Sequence, residues 1–295
     1  MSVRLGINPL TWSNDDLPSL GAENSLETCL REARSAGYEG VELGHKFPRS
    51  AAELGPILAE HGLALVSGWY SARLLERDVA SELAAMQTHL ELLLALGCEV
   101  MVVAEVTGCI HGDPMTRLSQ RPHMPRGRWP EYGARLTELA NRMRRHGMRL
   151  AYHHHMGTVV QSAQDIDALM ASSGPEVELL LDTGHLSFAG ADPVDFATRH
   201  AARIAHVHCK DVRRDVLTAV RNRDASFLDA VLDGVFTVPG DGMIDYRAVL
   251  APLAAAGYRG WLVVEAEQDP AVAHPLTYAT LGQRALSTIA GQFFA

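Results

Sequence analysis

The chain has 295 residues, a formal charge of −9 and 47% hydrophobic residues. That charge argues against a general nucleic-acid binder, which needs a basic surface to displace counterions, and no apolar stretch approaches the length of a membrane span. The size suits two average domains or one (β/α)8 barrel, and composition alone does not separate them.

The opening Met-Ser-Val-Arg-Leu-Gly lacks the charged and then apolar order of a secretory leader. Cys29, Cys98, Cys109 and Cys209 form neither a CxxC pair nor a structural zinc spacing. Together these predict a cytoplasmic protein. Short apolar runs then alternate with longer amphipathic stretches, the pattern of a parallel sheet covered by helices. Strands are predicted near 4–8, 39–43, 63–67, 99–104, 149–153, 178–182, 204–208 and 261–265. Helices are predicted over 24–36, 51–61, 79–96, 130–146, 163–172, 193–200, 245–256 and 276–290. Gly37, Gly62, Gly147 and Gly257 each follow a helix and precede a strand, where a left-handed cap suits glycine. Eight such pairs with no Gly/Ser or Pro-rich linker predict one closed TIM barrel, α/β in class, with 1–295 as a single domain.

Two connections are long, 107–130 and 211–241, and both follow strands, on the rim where barrel active sites lie. The second contains Ser226-Phe-Leu-Asp-Ala-Val-Leu, and its apolar content predicts an ordered lid.

Four apolar runs in the second half end in potential metal ligands: His153 to His155, Asp182 with His185, His206 with His208, and Glu265 with Glu267. Strand ends of a parallel barrel converge on one rim, so the repetition predicts one shared site. Alternation puts His153 and His155 on one side and His154 on the other. His153, Asp182, His208 and Glu265 are the expected ligands, a mixed oxygen and nitrogen set suited to Mn²⁺, Co²⁺, Zn²⁺ or Fe²⁺. Asp182 also stands where it could cap a following helix. His155, His185, His206 and Glu267 are read as a surrounding shell, with His155 and His185 contacting substrate or ligands. The first half offers further rim residues, Asn8, Trp12, Glu42, Lys46, Trp69 and Glu105, for a polyhydroxylated substrate, with helix-facing salt bridges as the alternative for the charged ones. No GxxxxGK[ST], GxGxxG or GxSxG motif occurs, which lowers nucleotide-dependent and serine-hydrolase readings.

The phrases Gly6-Ile-Asn-Pro-Leu-Thr-Trp12, Gly40-Val-Glu-Leu-Gly-His-Lys46, Tyr152-His-His-His-Met-Gly-Thr158, Asp182-Thr-Gly-His185, His206-Val-His-Cys-Lys-Asp-Val212 and Val264-Glu-Ala-Glu-Gln-Asp-Pro270 run through the whole chain. In their order the chain resembles the xylose-isomerase-like barrel superfamily and, within it, the inosose dehydratase family. The resemblance implies Mn²⁺ or Co²⁺, a small-molecule polyol ketone as substrate, and dehydration of 2-keto-myo-inositol (scyllo-inosose) in myo-inositol catabolism. It implies no nucleic-acid or membrane partner and leaves room for a homo-oligomer. Many isomerases of the superfamily carry Glu where this chain has His153, which weakens the alternative of a metal-dependent ketose or inosose isomerase or epimerase. In the elimination so expected, Glu265 or Glu267 removes the α-proton, and His155, His185 or Lys46 protonates the departing hydroxyl.

Overall fold

The computed structural model describes residues 3–294. Its elements in chain order are β1 (Arg4–Ile7), α1 (Leu26–Ala36), β2 (Gly40–Leu43), α2 (Ala51–His61), β3 (Ala64–Ala72), α3 (Val79–Ala95), β4 (Val100–Glu105), α4 (Trp129–Arg145), β5 (Arg149–His153), α5 (Ala163–Ser172) and β6 (Val177–Asp182). They continue with α6 (Thr183–Ala189), α7 (Pro193–His200), β7 (Ile204–Cys209), β8 (Asp211–Val212), α8 (Arg214–Asn222), α9 (Phe227–Leu232), β9 (Phe236–Thr237), α10 (Tyr246–Ala255), β10 (Trp261–Val264) and α11 (Pro275–Ala290). The eight expected strands pair in parallel in the closed order β1-β10-β7-β6-β5-β4-β3-β2, and β8 and β9 form a separate antiparallel ribbon. This is the TIM barrel that the alternation predicts.

Outward side chains of the strands meet the apolar stripes of the helices in one continuous core. On α4, Leu136, Leu139, Ala140 and Met143 recur at helical spacing and face that core. Inside the barrel, Val100, Val102, Ala151, Leu180 and Ala205 form an apolar layer, with Trp69 packed against it. Near the base, Trp261 occupies space left by absent side chains: a Cβ on Gly40 would come within 2.8 Å of its ring and 2.7 Å of Val66. All four predicted helix-ending glycines have positive φ, from 62° to 100°.

Register sets the functional rim. Asp182 on β6 lies beside His208 on β7, and His208 beside Val263 on β10. A shift between Leu179 and Leu180 absorbs Ala205, so that Leu180 pairs with His206 and Asp182 with His208. Both histidines therefore lean into the barrel from one strand, above the apolar layer.

The sequence reading overlooks α6 and most of the structure in 211–241. That connection folds into α8, α9 and the β8–β9 ribbon, and it builds its own apolar cluster around Leu217, Val220, Phe227, Val231 and Phe236. The connection 107–130 contains two single 3-10 turns before α4. No helix among the described residues is long and apolar enough to cross a membrane.

Candidate active site

The strand ends bring His153, Asp182, His208 and Glu265 together, with one potential ligand atom from each lying within 4.8 Å of the others. All four side chains are buried. His153, Asp182 and His208 are each held by one atom and present another, while Glu265 is held through both of its oxygens. His153 Nδ1 donates to the carbonyl of His154 at 2.7 Å. A carbonyl can only accept, so the proton sits on Nδ1 and Nε2 keeps its lone pair. Asp182 caps α6, its Oδ1 accepting from the His185 N–H at 2.8 Å, while Oδ2 is left over. The cap reading and the ligand reading of Asp182 thus use different oxygens.

His208 Nε2 donates to Glu42 Oε1 at 3.2 Å, turning Nδ1 toward Asp182 and Glu265. Lys210 Nζ lies 2.6 Å from Glu265 Oε1, and Asn8 Nδ2 donates to Glu265 Oε2 at 2.9 Å. Glu42 has no free oxygen to offer. Its Oε1 also accepts from His206 Nε2 at 2.8 Å, and its Oε2 from Asn8 Nδ2 at 2.7 Å. Glu42, His206 and His208 are close enough to suggest a cation cluster of their own, but their mutual hydrogen bonds make them an orienting group instead. A carboxylate behind a ligand histidine fixes its tautomer and raises its basicity.

The residues fit a divalent cation. Asp182 Oδ2 and His208 Nδ1 are buried without hydrogen-bond partners, and such orphaned polar atoms are costly unless something satisfies them. His208 Nδ1 stands 2.8 Å from Glu265 Oε2 and 3.6 Å from Asp182 Oδ2, the crowding expected of donors aimed at a common positive charge. Burial opposes a proton on His208, yet the Glu265 and Glu42 carboxylates outweigh it and hold its pKa well above the ordinary value. Burial likewise opposes the charge on Glu42, but His208 and His206 pull that carboxyl down to about 2.

Around the donors lies a pocket lined by Asn8, Asp16, Trp69, His111, His155 and Glu267, among others. Trp69 stands edge-on to His153 and His155, with ring centroids 5.3 and 5.5 Å away. His155 Nδ1 donates to the Met156 carbonyl at 2.8 Å, leaving the lone pair on Nε2. Burial and the neighbouring His111 keep this imidazole neutral, its pKa well below the ordinary range. Burial pushes Glu267 up to about 7; Lys210 opposes that rise, while Asp16 and Glu265 add to it.

Lys210 is the main site residue that the sequence reading misses. Its ammonium is fully buried and donates to Glu265 Oε1 and to Glu267 Oε2 at 3.2 Å, with His185 Nε2 a third polar neighbour at 3.1 Å. It also lies 4.6 Å from the centre of the Phe236 ring. Burial disfavours its charge, but Glu265 and Glu267 reverse that and raise its pKa. Gly184 makes the position sterically available: a Cβ there would sit 2.5 Å from Lys210 Cγ.

Several expected contacts fall elsewhere. Lys46 Nζ donates to the carbonyls of Gly21, Ala22 and Asn24, which spends all three protons on pinning the loop after β1. Trp12 faces α1, its Nε1 donating to Glu32 at 2.7 Å. Glu105 points out of the barrel, because Val100 and Val102 take the inward positions of β4, and it accepts from the Thr107 N–H at 3.0 Å. His185 stacks behind His155 with ring centroids 3.9 Å apart, and its nitrogens face Lys210 and the Met156 N–H, so it braces the pocket wall instead of touching its contents. Phe227 of the folded connection backs both rings at 5.1 and 5.7 Å. Asp16 and His111 join the pocket from loops where no periodic pattern announces them.

Residues 30–288 match the family described as Xylose isomerase-like TIM barrel. The chain is 45% identical to inosose dehydratase of Geobacillus thermodenitrificans, with 94% of each sequence covered. The chain belongs to the inosose dehydratase family of xylose isomerase-like barrels. The chain is also 53% identical to the Rhizopine catabolism protein MocC of Rhizobium meliloti, over 98% of this chain and 89% of that protein. Among solved structures, the IolI protein with a bound zinc atom shares the fold, with a TM-score of 0.70, 17% identity and coverage of 99% of this chain and 100% of that one.

Proposed function

We propose that this member of the inosose dehydratase family removes water from 2-keto-myo-inositol by β-elimination, giving a trihydroxycyclohexane-1,2-dione, with Mn²⁺ or Co²⁺ held by His153, Asp182, His208 and Glu265. The observation that carries the reading is the convergence of those four donors at the mouth of a barrel that matches named inosose dehydratases along nearly its whole length. A divalent cation bound there supplies Lewis acidity toward the ketone oxygen.

The chain's own groups divide the proton work. His155, with its lone pair on Nε2 in the pocket, takes the proton beside the carbonyl. Glu267, held by Lys210 and Asn14, delivers a proton to the departing hydroxyl. This assignment exchanges the base and acid roles expected from sequence alone. Lys210 keeps Glu265 charged, and Trp69 offers the substrate ring an apolar wall. We also read the chain as one domain in the cytoplasm; four free thiols support that compartment.

Protein stripped by chelation and reloaded with Mn²⁺ or Co²⁺ tests the reading. Expected is conversion of 2-keto-myo-inositol to a product lacking one water by mass spectrometry. Isomerised substrate with no loss of water overturns it. The MocC relative favours a second reading, service in rhizopine catabolism. A strain lacking this chain that fails to use rhizopine but still uses myo-inositol selects that reading.

A further inference from the structure

We infer that Asp16 and His111 grip neighbouring ring hydroxyls of the substrate from across the pocket mouth and set which cyclitol is accepted. The inference rests on the inosose reading for its substrate class. Asp16 comes from the loop after β1 and His111 from the loop after β4, and both line the pocket of the four donors. His111 Nε2 lies 3.6 Å from Asp16 Oδ1, too far for a direct hydrogen bond but suited to two groups sharing a diol.

Both groups are held firmly and left incompletely bonded. Asn14 Oδ1 accepts from the backbone N–H groups of Asp16 and Leu17 at 2.8 and 2.7 Å, while Asn14 Nδ2 donates to Glu267 Oε1 at 3.1 Å. Lys46 ties down the far side of the same loop. On the other side, the Ile110 N–H donates to the Gly157 carbonyl at 3.0 Å, and the His111 ring packs edge-on to His155 at 4.9 Å. A Cβ on Gly157, whose φ is +77°, would stand 2.9 Å from the His111 backbone nitrogen, so this close docking needs glycine there. His111 Nδ1 is buried without a partner. The Asp16 carboxylate accepts no hydrogen bond among the described residues, and burial with the neighbouring Asp15 charge pushes its pKa up to about 6, as befits a carboxylate short of donors.

A cyclic polyol ketone meets this geometry well. With its carbonyl at the cation donors, the ring's remaining hydroxyls need acceptors and donors on the other side, and a carboxylate beside an imidazole supplies both. A hydroxyl of the wrong configuration would leave these groups unpaired, which is how a polar site rejects near-isosteres.

The test uses the full metal-loaded chain with Asp16→Asn and His111→Phe, the latter keeping the ring against His155. Each variant is expected to raise KM for 2-keto-myo-inositol about tenfold or more, with a smaller change in kcat because His111 and Asp16 also neighbour the proposed base and acid. Metal content should be unchanged, and Kd for the unreactive probe myo-inositol, measured by calorimetry, should rise in parallel. Folded variants with unchanged KM and Kd overturn the inference, as does a fall in kcat alone. Asp16→Ser replaces the amide variant if that one does not fold. Wild type that binds myo-inositol but removes no water defeats the dehydration reading and leaves the Kd comparison to judge the grip. Wild type that neither binds nor reacts defeats both.

Discussion

Strand ends β5, β6, β7 and β10 present His153, Asp182, His208 and Glu265, the first three each with one atom free of hydrogen bonds, whereas β1 and β2 present Asn8 and Glu42, which are engaged with Glu265, His206, His208 and the Leu10 N–H. The two sides of the rim carry similar residue types, and Glu42 resembles Glu265 in burial and in lining the same pocket. What separates them is which imidazole nitrogen they face. Glu42 accepts from the Nε2 atoms of His206 and His208, whereas Glu265 Oε2 stands 2.8 Å from His208 Nδ1, the nitrogen turned toward Asp182 Oδ2, and on that ground Glu42 is proposed as the positioning group and Glu265 as the ligand.

The comparison breaks most sharply at the donors themselves. Asp182→Asn keeps an oxygen to cap α6 but removes the charge, and we expect kcat/KM to fall by about a thousandfold or more. Metal analysis by mass spectrometry should show the bound ion lost while circular dichroism stays native. On the orienting side, Glu42→Gln should lower metal affinity by about 10- to 100-fold, the usual cost of removing a carboxylate behind a ligand histidine. Activity should then return at high metal concentration, a rescue not expected of Asp182→Asn. If both variants behave alike, the division between the two sides fails.

Gly184→Ala probes the support beneath the donors. Its new Cβ must displace Lys210, and overpacking of this kind costs about 1–3 kcal/mol, measurable as a lower midpoint in denaturant. The smallest effect is expected from Lys46→Met. This loosens the loop after β1 without touching the donors, so metal stoichiometry should be unchanged and kcat within about threefold of wild type.

Much of this was legible in the sequence, for identifiable reasons. The strands announced themselves because parallel strands covered on both faces read as short apolar runs. The four donors stood out because each ended such a run, and alternation placed His153 and His155 inward and His154 outward as observed. The same lack of alternation misled the reading at Glu105: Val100 to Ala104 is apolar on both faces, so nothing along β4 shows which way its last residue points. Lys46 and Trp12 lie beyond their strands, where loop geometry and not periodicity sets direction. Lys210 was hidden for another reason. A lysine after a strand end reads as solvated, and its burial depends on carboxylates from the end of β10 and on room left by a glycine in a different turn. The helix α6 was not placed, although Asp182 was read as a possible cap, because its seven residues are too few to show a helical period.

The contact between Gly184 and Lys210 also bears on how this sequence can drift. Position 184 cannot gain a side chain while Lys210 is present, and a shorter residue at 210 would leave Glu265 and Glu267 buried without their cation. Neither residue can change first without passing through a damaged intermediate, so the two positions are evolutionarily interlocked across 26 places in the chain. Escape requires a third change that removes one of the carboxylates beforehand. Glu265 sits in the donor cluster and Glu267 is the proposed acid, so that opening step would itself cost activity.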